Sequence, residues 1–139
     1  MMKRLIETIK QDEGLRLFPY LDTVGVLTIG YGRNLDSKGI SHDEAELMLR
    51  NDIITAQREL ERVFPIASTL SKHRYHVLIN MMYNLGATKF MGFRKMRKAI
   101  EEGDFEAAAR EMLDSKWSNQ VGLRADRLAK TMKRENVKP

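Results

Sequence analysis

Along the first residues the apolar side chains Met2, Leu5, Ile6 and Ile9 recur at i, i+3, i+4 and i+7, the spacing of one helix face, and Gly14 follows as a natural stop. The pattern predicts a helix ending near Asp12 and Glu13. From Leu17 to Leu35 the texture changes to aromatics, β-branched residues and glycines. Val26, Thr28 and Gly30 alternate there with Leu27, Ile29 and Tyr31, which predicts a small twisted sheet with Leu27 and Ile29 turned to the core and the Thr28 hydroxyl on the opposite face. Its turns are signalled by Asp22-Thr23-Val24-Gly25 and Asp36-Ser37-Lys38-Gly39.

Ser41 and Glu44 have the spacing of a capping box, and Ala45, Leu49, Ile53, Ala56, Leu60 and Val63 then keep one apolar stripe until Pro65. A helix over 42–63 would be about 33 Å long at ~1.5 Å per residue, enough to run from one lobe of a small protein to another. After Pro65 the periodicity is helical throughout: 72–85 closed by Gly86, 93–102 closed by Gly103, 104–115, and 123–135 with Ala125, Leu128, Ala129 and Met132 on one face. There is no internal repeat and no low-complexity tract. The expected fold class is α+β, mainly α. One domain, 1–139, is expected to hold a small antiparallel sheet lobe (about 13–41), a linking helix (about 42–63), and a helical lobe (about 65–139) to which the N-terminal helix 2–12 is added.

At 139 residues the chain suits one domain, and 42% hydrophobic with 31% charged residues is a globular composition. The absence of Cys removes disulfides, thiolate zinc sites and a cysteine nucleophile together. Glu7 and Lys10 interrupt the apolar positions of the N-terminus, so no secretory signal is expected, and no stretch approaches the roughly 18 apolar residues of a membrane span. The 24 Lys and Arg against 19 Asp and Glu, net +5, favour a polyanionic partner: nucleic acid, anionic lipid or a cell-wall polymer.

Without Cys or a Gly-x-Ser-x-Gly elbow, carboxylates are the strongest candidates for chemistry. Glu13 falls at the C-terminal end of the first helix, where the dipole disfavours an anion, as suits a general acid. Asp22 lies nine residues on, in a different electrostatic setting, and Thr28 follows on a strand where its hydroxyl could orient a water. On spacing alone the plain alternative stands: Glu13 and Asp22 as solvated helix-end and turn residues, and Thr28 as a good strand former.

Asp12-Glu13-Gly14-Leu15-Arg16-Leu17, Tyr20-Leu21-Asp22-Thr23 and Leu27-Thr28-Ile29-Gly30-Tyr31-Gly32 together resemble the signature of phage-type lysozymes, the endolysins of glycoside hydrolase family 24. The resemblance continues in order through Gly39 to Glu46, Asn80 to Gly86, Gly92-Phe93 and Ser115 to Gln120, so it covers nearly the whole chain. It implies a lysozyme-like two-lobe fold and a muramidase acting on peptidoglycan between N-acetylmuramic acid and N-acetylglucosamine. Carried over by motif, Glu13 is the proton donor, while Asp22 with Thr28 directs a water onto the opposite face of the sugar, with inversion. Arg124, in Leu123-Arg124-Ala125-Asp126-Arg127, is implied as the cation that tunes the acid, and Arg127 as a partner of Asp12. Tyr83 is implied to line the saccharide cleft, with a core aromatic as its alternative, and Asn34 and Glu111 are further substrate-binding carry-overs. The sequence departs from the family at Arg33, where many relatives have His, and in the short connection from Arg33 to Ile40.

Trp117, the one Trp, is expected to anchor the helical lobe, and Met81, Met82, Met91, Met96 and Met112 to fill its core. His73 and His76 lack a third ligand nearby, so no metal is expected, and no cofactor. The basic clusters Arg94, Lys95, Arg97, Lys98 and Arg124, Arg127, Lys130, Lys133, Arg134 read either as solvated helix faces or as long-range attraction to an anionic wall. Three classes of function compete. The first is the muramidase, a bacteriolytic phage or prophage enzyme. The second is a glycan-binding module of the same fold without activity, against which the intact Glu13, Asp22 and Thr28 argue. The third is a nucleic-acid binder, which fits the charge but lacks a reading motif. The resemblance implies a monomer made in the host cytoplasm, with no stable membrane insertion and no nucleic-acid partner. It would reach the peptidoglycan after a holin, needed functionally and not as a bound partner, opens the membrane.

Overall fold

A computed structural model describes residues 2–135. The expected first helix forms as α1 (Met2–Glu13) and ends where the Gly14 N–H donates to the Lys10 carbonyl at 2.9 Å. Three short strands follow, β1 (Arg16–Leu21), β2 (Leu27–Gly30) and β3 (Arg33–Asn34), antiparallel and in the order β1-β2-β3. Tyr20 pairs with Thr28 and Leu21 with Leu27, whereas the ladder is irregular between Arg16 and Tyr20. Pro19 lies in that interval and has no N–H to give a ladder. On the other side Thr28 pairs with Asn34 and Ile29 with Arg33.

Cross-strand partners share a face, so Tyr20, Thr28 and Asn34 lie on one side of the sheet. The expectation that Leu27 and Ile29 would be the buried side of β2 is corrected here. Thr28 is 5% exposed while both neighbours are half-buried. Its hydroxyl donates to the Val26 carbonyl at 2.8 Å, which removes most of the cost of withdrawing that hydroxyl from water.

The capping box forms as expected at the start of α2 (His42–Val63): the Glu44 N–H donates to Ser41 Oγ at 3.1 Å, and the Ser41 N–H to Glu44 Oε1 at 2.8 Å. The chain divides into two compact units, 1–48 and 49–139, and the division falls inside α2. In the second unit a 3-10 turn at Pro65–Thr69 leads into α3 (Lys72–Leu85), α4 (Ala87–Met91), α5 (Arg94–Glu101), α6 (Phe105–Leu113), α7 (Lys116–Val121) and α8 (Leu123–Lys133). The long helices match the periodicity. Two short ones, α4 and α7, lie where it was silent, and Ser115 caps α7 by accepting the Ser118 N–H at 3.1 Å.

Leu60, Leu78, Met81, Phe90, Met96, Met112 and Met132 are fully buried in this unit, each contributing roughly 1.5–3 kcal/mol by the apolar area withdrawn from water. Trp117 is 4% exposed, donates from Nε1 to Asn84 Oδ1 at 2.7 Å, and meets the Phe93 ring edge-on at 5.9 Å, an anchor of the kind expected. Buried Arg74 stacks its guanidinium 3.6 Å from the Phe105 ring centroid and donates to the carbonyls of Met132 and Arg134, both at 2.8 Å. It thereby supplies donors to the end of α8, where helix carbonyls have no partner of their own. Among the described residues no helix is long and apolar enough to cross a membrane.

Candidate active site

Glu13 is the last residue of α1, and its side chain reaches to the turn between β2 and β3. A Cβ placed on Gly32 would lie 2.8 Å from Glu13 Oε2 and 3.3 Å from its Cδ, so the carboxylate occupies space that any larger residue would claim. Gly32 has φ +79°, a second reason for glycine at this position. The turn is also tied to α1 by Lys10, whose ammonium lies 5.5 Å from the Tyr31 ring centroid.

Asp22 begins the turn that joins β1 to β2. Its Oδ1 accepts the N–H groups of Val24 at 2.9 Å and Val26 at 2.8 Å, while its own N–H donates to the Val26 carbonyl at 2.9 Å. This is the Asx-turn geometry that makes Asp a turn residue, and it fixes the carboxylate at the end of the strand pair. Both bonds fall on Oδ1; among the described residues Oδ2 takes none. Asp22 is two residues beyond Tyr20, whose partner is Thr28, so the strand period carries Asp22 toward the face that holds Thr28 and Asn34. Because Thr28 Oγ1 spends its proton on Val26, its remaining capacity is as an acceptor. The carry-over residue Asn34 shapes the next turn: its Oδ1 accepts the Ser37 N–H at 3.0 Å.

Arg33 does what the sequence reading did not foresee. Its guanidinium pairs with Glu44 Oε1 and donates to the Gly39 carbonyl at 3.4 Å, so the strand after Gly32 is fastened to the first turn of α2. The Arg33 bond, with the Ser41 N–H and hydroxyl behind it, lowers the Glu44 carboxyl from 4.5 to about 2. The signal was the unusual residue after Gly32 beside an acid already assigned to a cap. Arg16 of the same signature lies with its guanidinium 4.7 Å from the Tyr20 ring centroid.

The remaining candidates lie in the second unit. Arg124, at the start of α8, donates from Nε and Nη2 to Asn80 Oδ1 at 3.0 and 2.7 Å. Tyr83 is 44% exposed, an aromatic face open to solvent and not a core residue. It borders a groove of about 510 Å³ together with Ile53, Tyr75, Ile79 and Arg124. Within that groove the Tyr75 hydroxyl donates to Glu61 and accepts from Gln57 Nε2 at 2.8 Å; burial and the Glu61 carboxylate raise its pKa. Glu111 borders a separate groove of about 360 Å³ with Arg94, Lys95 and Asp114.

A sequence model of the phage lysozyme family matches residues 10–136, a span that includes Glu13, Asp22, Thr28 and Arg124. A probable T4-type lysozyme of Dictyostelium discoideum is 30% identical, with 92% of each chain covered. An endolysin of Acyrthosiphon pisum secondary endosymbiont phage 1 is 33% identical across 79% of this chain and 74% of its own. The pre-baseplate central spike protein of Enterobacteria phage T4 is 28% identical across 89% of this chain and 26% of its own, so there the similar stretch is part of a longer protein.

Proposed function

The chain belongs to the phage lysozyme family, and from that premise we propose that it is a muramidase cutting the β-1,4 bond between N-acetylmuramic acid and N-acetylglucosamine in peptidoglycan. The observation that carries this reading is the Glu13 carboxylate seated against Gly32, in the same unit as Thr28 on β2 and Asp22 in the turn that joins β1 to it. Glu13 protonates the leaving oxygen, and positive charge develops at the sugar C1 as the bond breaks. Asp22 stabilises that charge and accepts a proton from the attacking water. Thr28, left as an acceptor by its bond to Val26, takes the water's other hydrogen. A water held by both hydrogens presents its lone pair to C1 from the face opposite the leaving group, which is inversion and needs carboxylates about 6.5–9.5 Å apart.

Tyr83 offers a sugar ring an apolar face, and Asn34 and Glu111 offer polar contacts to the glycan or its peptide. Arg124 is assigned to tuning the acid. The substrate is the bacterial wall, reached from the producing cell's cytoplasm after the inner membrane is opened, and the outcome is lysis of the host. The test is clearing of a purified peptidoglycan suspension by the wild type and by Glu13→Gln, with circular dichroism reporting folding. Clearing and new reducing ends from the wild type alone are expected. A folded wild type that clears no wall type overturns the assignment and favours a glycan-binding module.

A further inference from the structure

The Glu13 carboxylate is placed by what it rests on, and it rests on a turn with little stiffness of its own. Tyr31 and Gly32 connect β2 to β3, and Gly30, the last residue of β2, and Gly32, at φ +71° and +79°, leave the backbone many alternatives. β3 is two residues long, so its ladder adds little restraint. The next residue, Arg33, reaches out of the sheet to Glu44 and to the Gly39 carbonyl. The same Glu44 oxygen accepts the Ser41 N–H, so the tie ends on the capping box of α2, a part of the chain already held by two reciprocal bonds. On the opposite side the turn meets α1 through Lys10 and Tyr31. The glycine under the acid is thus held from two sides, by α1, which carries the acid, and by Arg33.

We propose that Arg33 is a positioning residue: through Glu44 and Gly39 it fixes the Gly32 turn against which Glu13 rests, and so fixes where the acid's proton is delivered. This rests on Glu13 being the proton donor of the proposed function. The side chains of Arg33 and Glu44 are 29% and 40% exposed, and a pair that open to water contributes little to global stability. Placement of the acid is far more sensitive, since a shift of about 1 Å can cost on the order of 100-fold in rate. Loss of the pair should therefore appear in turnover before it appears in folding.

The experiment measures kcat and KM by reducing-end release from solubilised peptidoglycan, and urea midpoints, for the wild type, Arg33→Met, Glu44→Gln, the double variant and Arg33→Lys. Each single change is expected to lower kcat roughly tenfold, with KM and the urea midpoint close to wild type. The double variant should lose no more than Arg33→Met alone, because Glu44 acts only through that guanidinium. Arg33→Lys, which keeps the charge, should recover part of the rate. Unchanged kcat, a rise in KM alone, additive losses, or a fall in midpoint that accounts for the lost rate would each overturn the proposal. The failure of the parent reading is distinct: a folded wild type without activity, or activity surviving in Glu13→Gln, removes the acid itself.

Discussion

Replacing Gly32 with Ala separates the two reasons for a glycine under the acid. An L-residue at φ +79° costs about 1–2 kcal/mol, whatever surrounds it. The new Cβ would also lie 2.8 Å from Glu13 Oε2, where ordinary contact begins at 3.4 Å, so the carboxylate must retreat by at least about 0.6 Å. A carboxylate is the free end of a flexible side chain, and moving it adds little to the folding penalty. Its chemistry does not tolerate the move so well. At roughly 100-fold per ångström, the displacement predicts a loss on the order of tenfold in kcat, about 1.4 kcal/mol of barrier. Gly30→Ala is the matched control: φ is +71°, and nothing lies within 4 Å of its Cβ. Both variants should lose similar stability in urea, and Gly32→Ala alone should show the extra loss of turnover in a reducing-end assay. If the two have equal kcat, the carboxylate does not act from its place against Gly32, and the geometry argued for the acid is wrong.

Three further expectations concern other residues. Arg74→Met leaves the Met132 carbonyl without its donor and the Arg134 carbonyl with His73 Nε2 alone, and should cost about 2–3 kcal/mol in urea unfolding, with turnover per folded molecule unchanged; a cost under about 0.5 kcal/mol would mean that the end of α8 does not depend on it. Glu44 has its pKa depressed to about 2, so its contribution to stability is complete above about pH 4.5 and is lost as pH falls toward 2. Because the pair is open to water that contribution is small, so the check is direct: the Glu44 carboxyl followed by NMR should titrate at about 2 in the wild type and back toward 4.5 in Arg33→Met, and a midpoint near 4.5 in the wild type would contradict the depressed value. If Arg124 tunes the acid, Arg124→Ala shifts the pH-rate profile; an unchanged profile and unchanged stability would end that assignment.

Helical periodicity and punctuation made most of the fold legible. Ala56, Leu60, Ala129 and Met132 are buried where their apolar stripes placed them, and Gly14 and Gly86 end helices where glycine was read as a stop. Helices α4 and α7 escaped because five or six residues do not complete two turns, too short a window for a 3.6-residue period to stand out. The faces of β2 were read the wrong way round because alternation defines two sides without saying which is covered, and a hydroxyl bonded to its own strand can be buried as readily as a leucine. Glu13, Asp22 and Thr28 were singled out by their resemblance to a family motif, since spacing alone also fitted ordinary turn and helix-end residues. Arg74 gave no local sign: its partners lie 58 and 60 residues away, and an Arg amid apolar helix positions looks like a solvated charge until the far end of α8 is brought to it.

The sulfur of this chain is all thioether. With no Cys, oxidative damage falls on nine methionines, and Met81, Met82, Met96, Met112 and Met132 are enclosed in the helical core. Peroxide turns a thioether into a polar sulfoxide, which cannot be repacked in such a place, so each oxidation of an enclosed methionine commits a molecule that had opened. The oxidation rate of these five residues is therefore a clock for the opening of the second unit under native conditions, and the ageing of the protein in storage follows its breathing more closely than its surface chemistry.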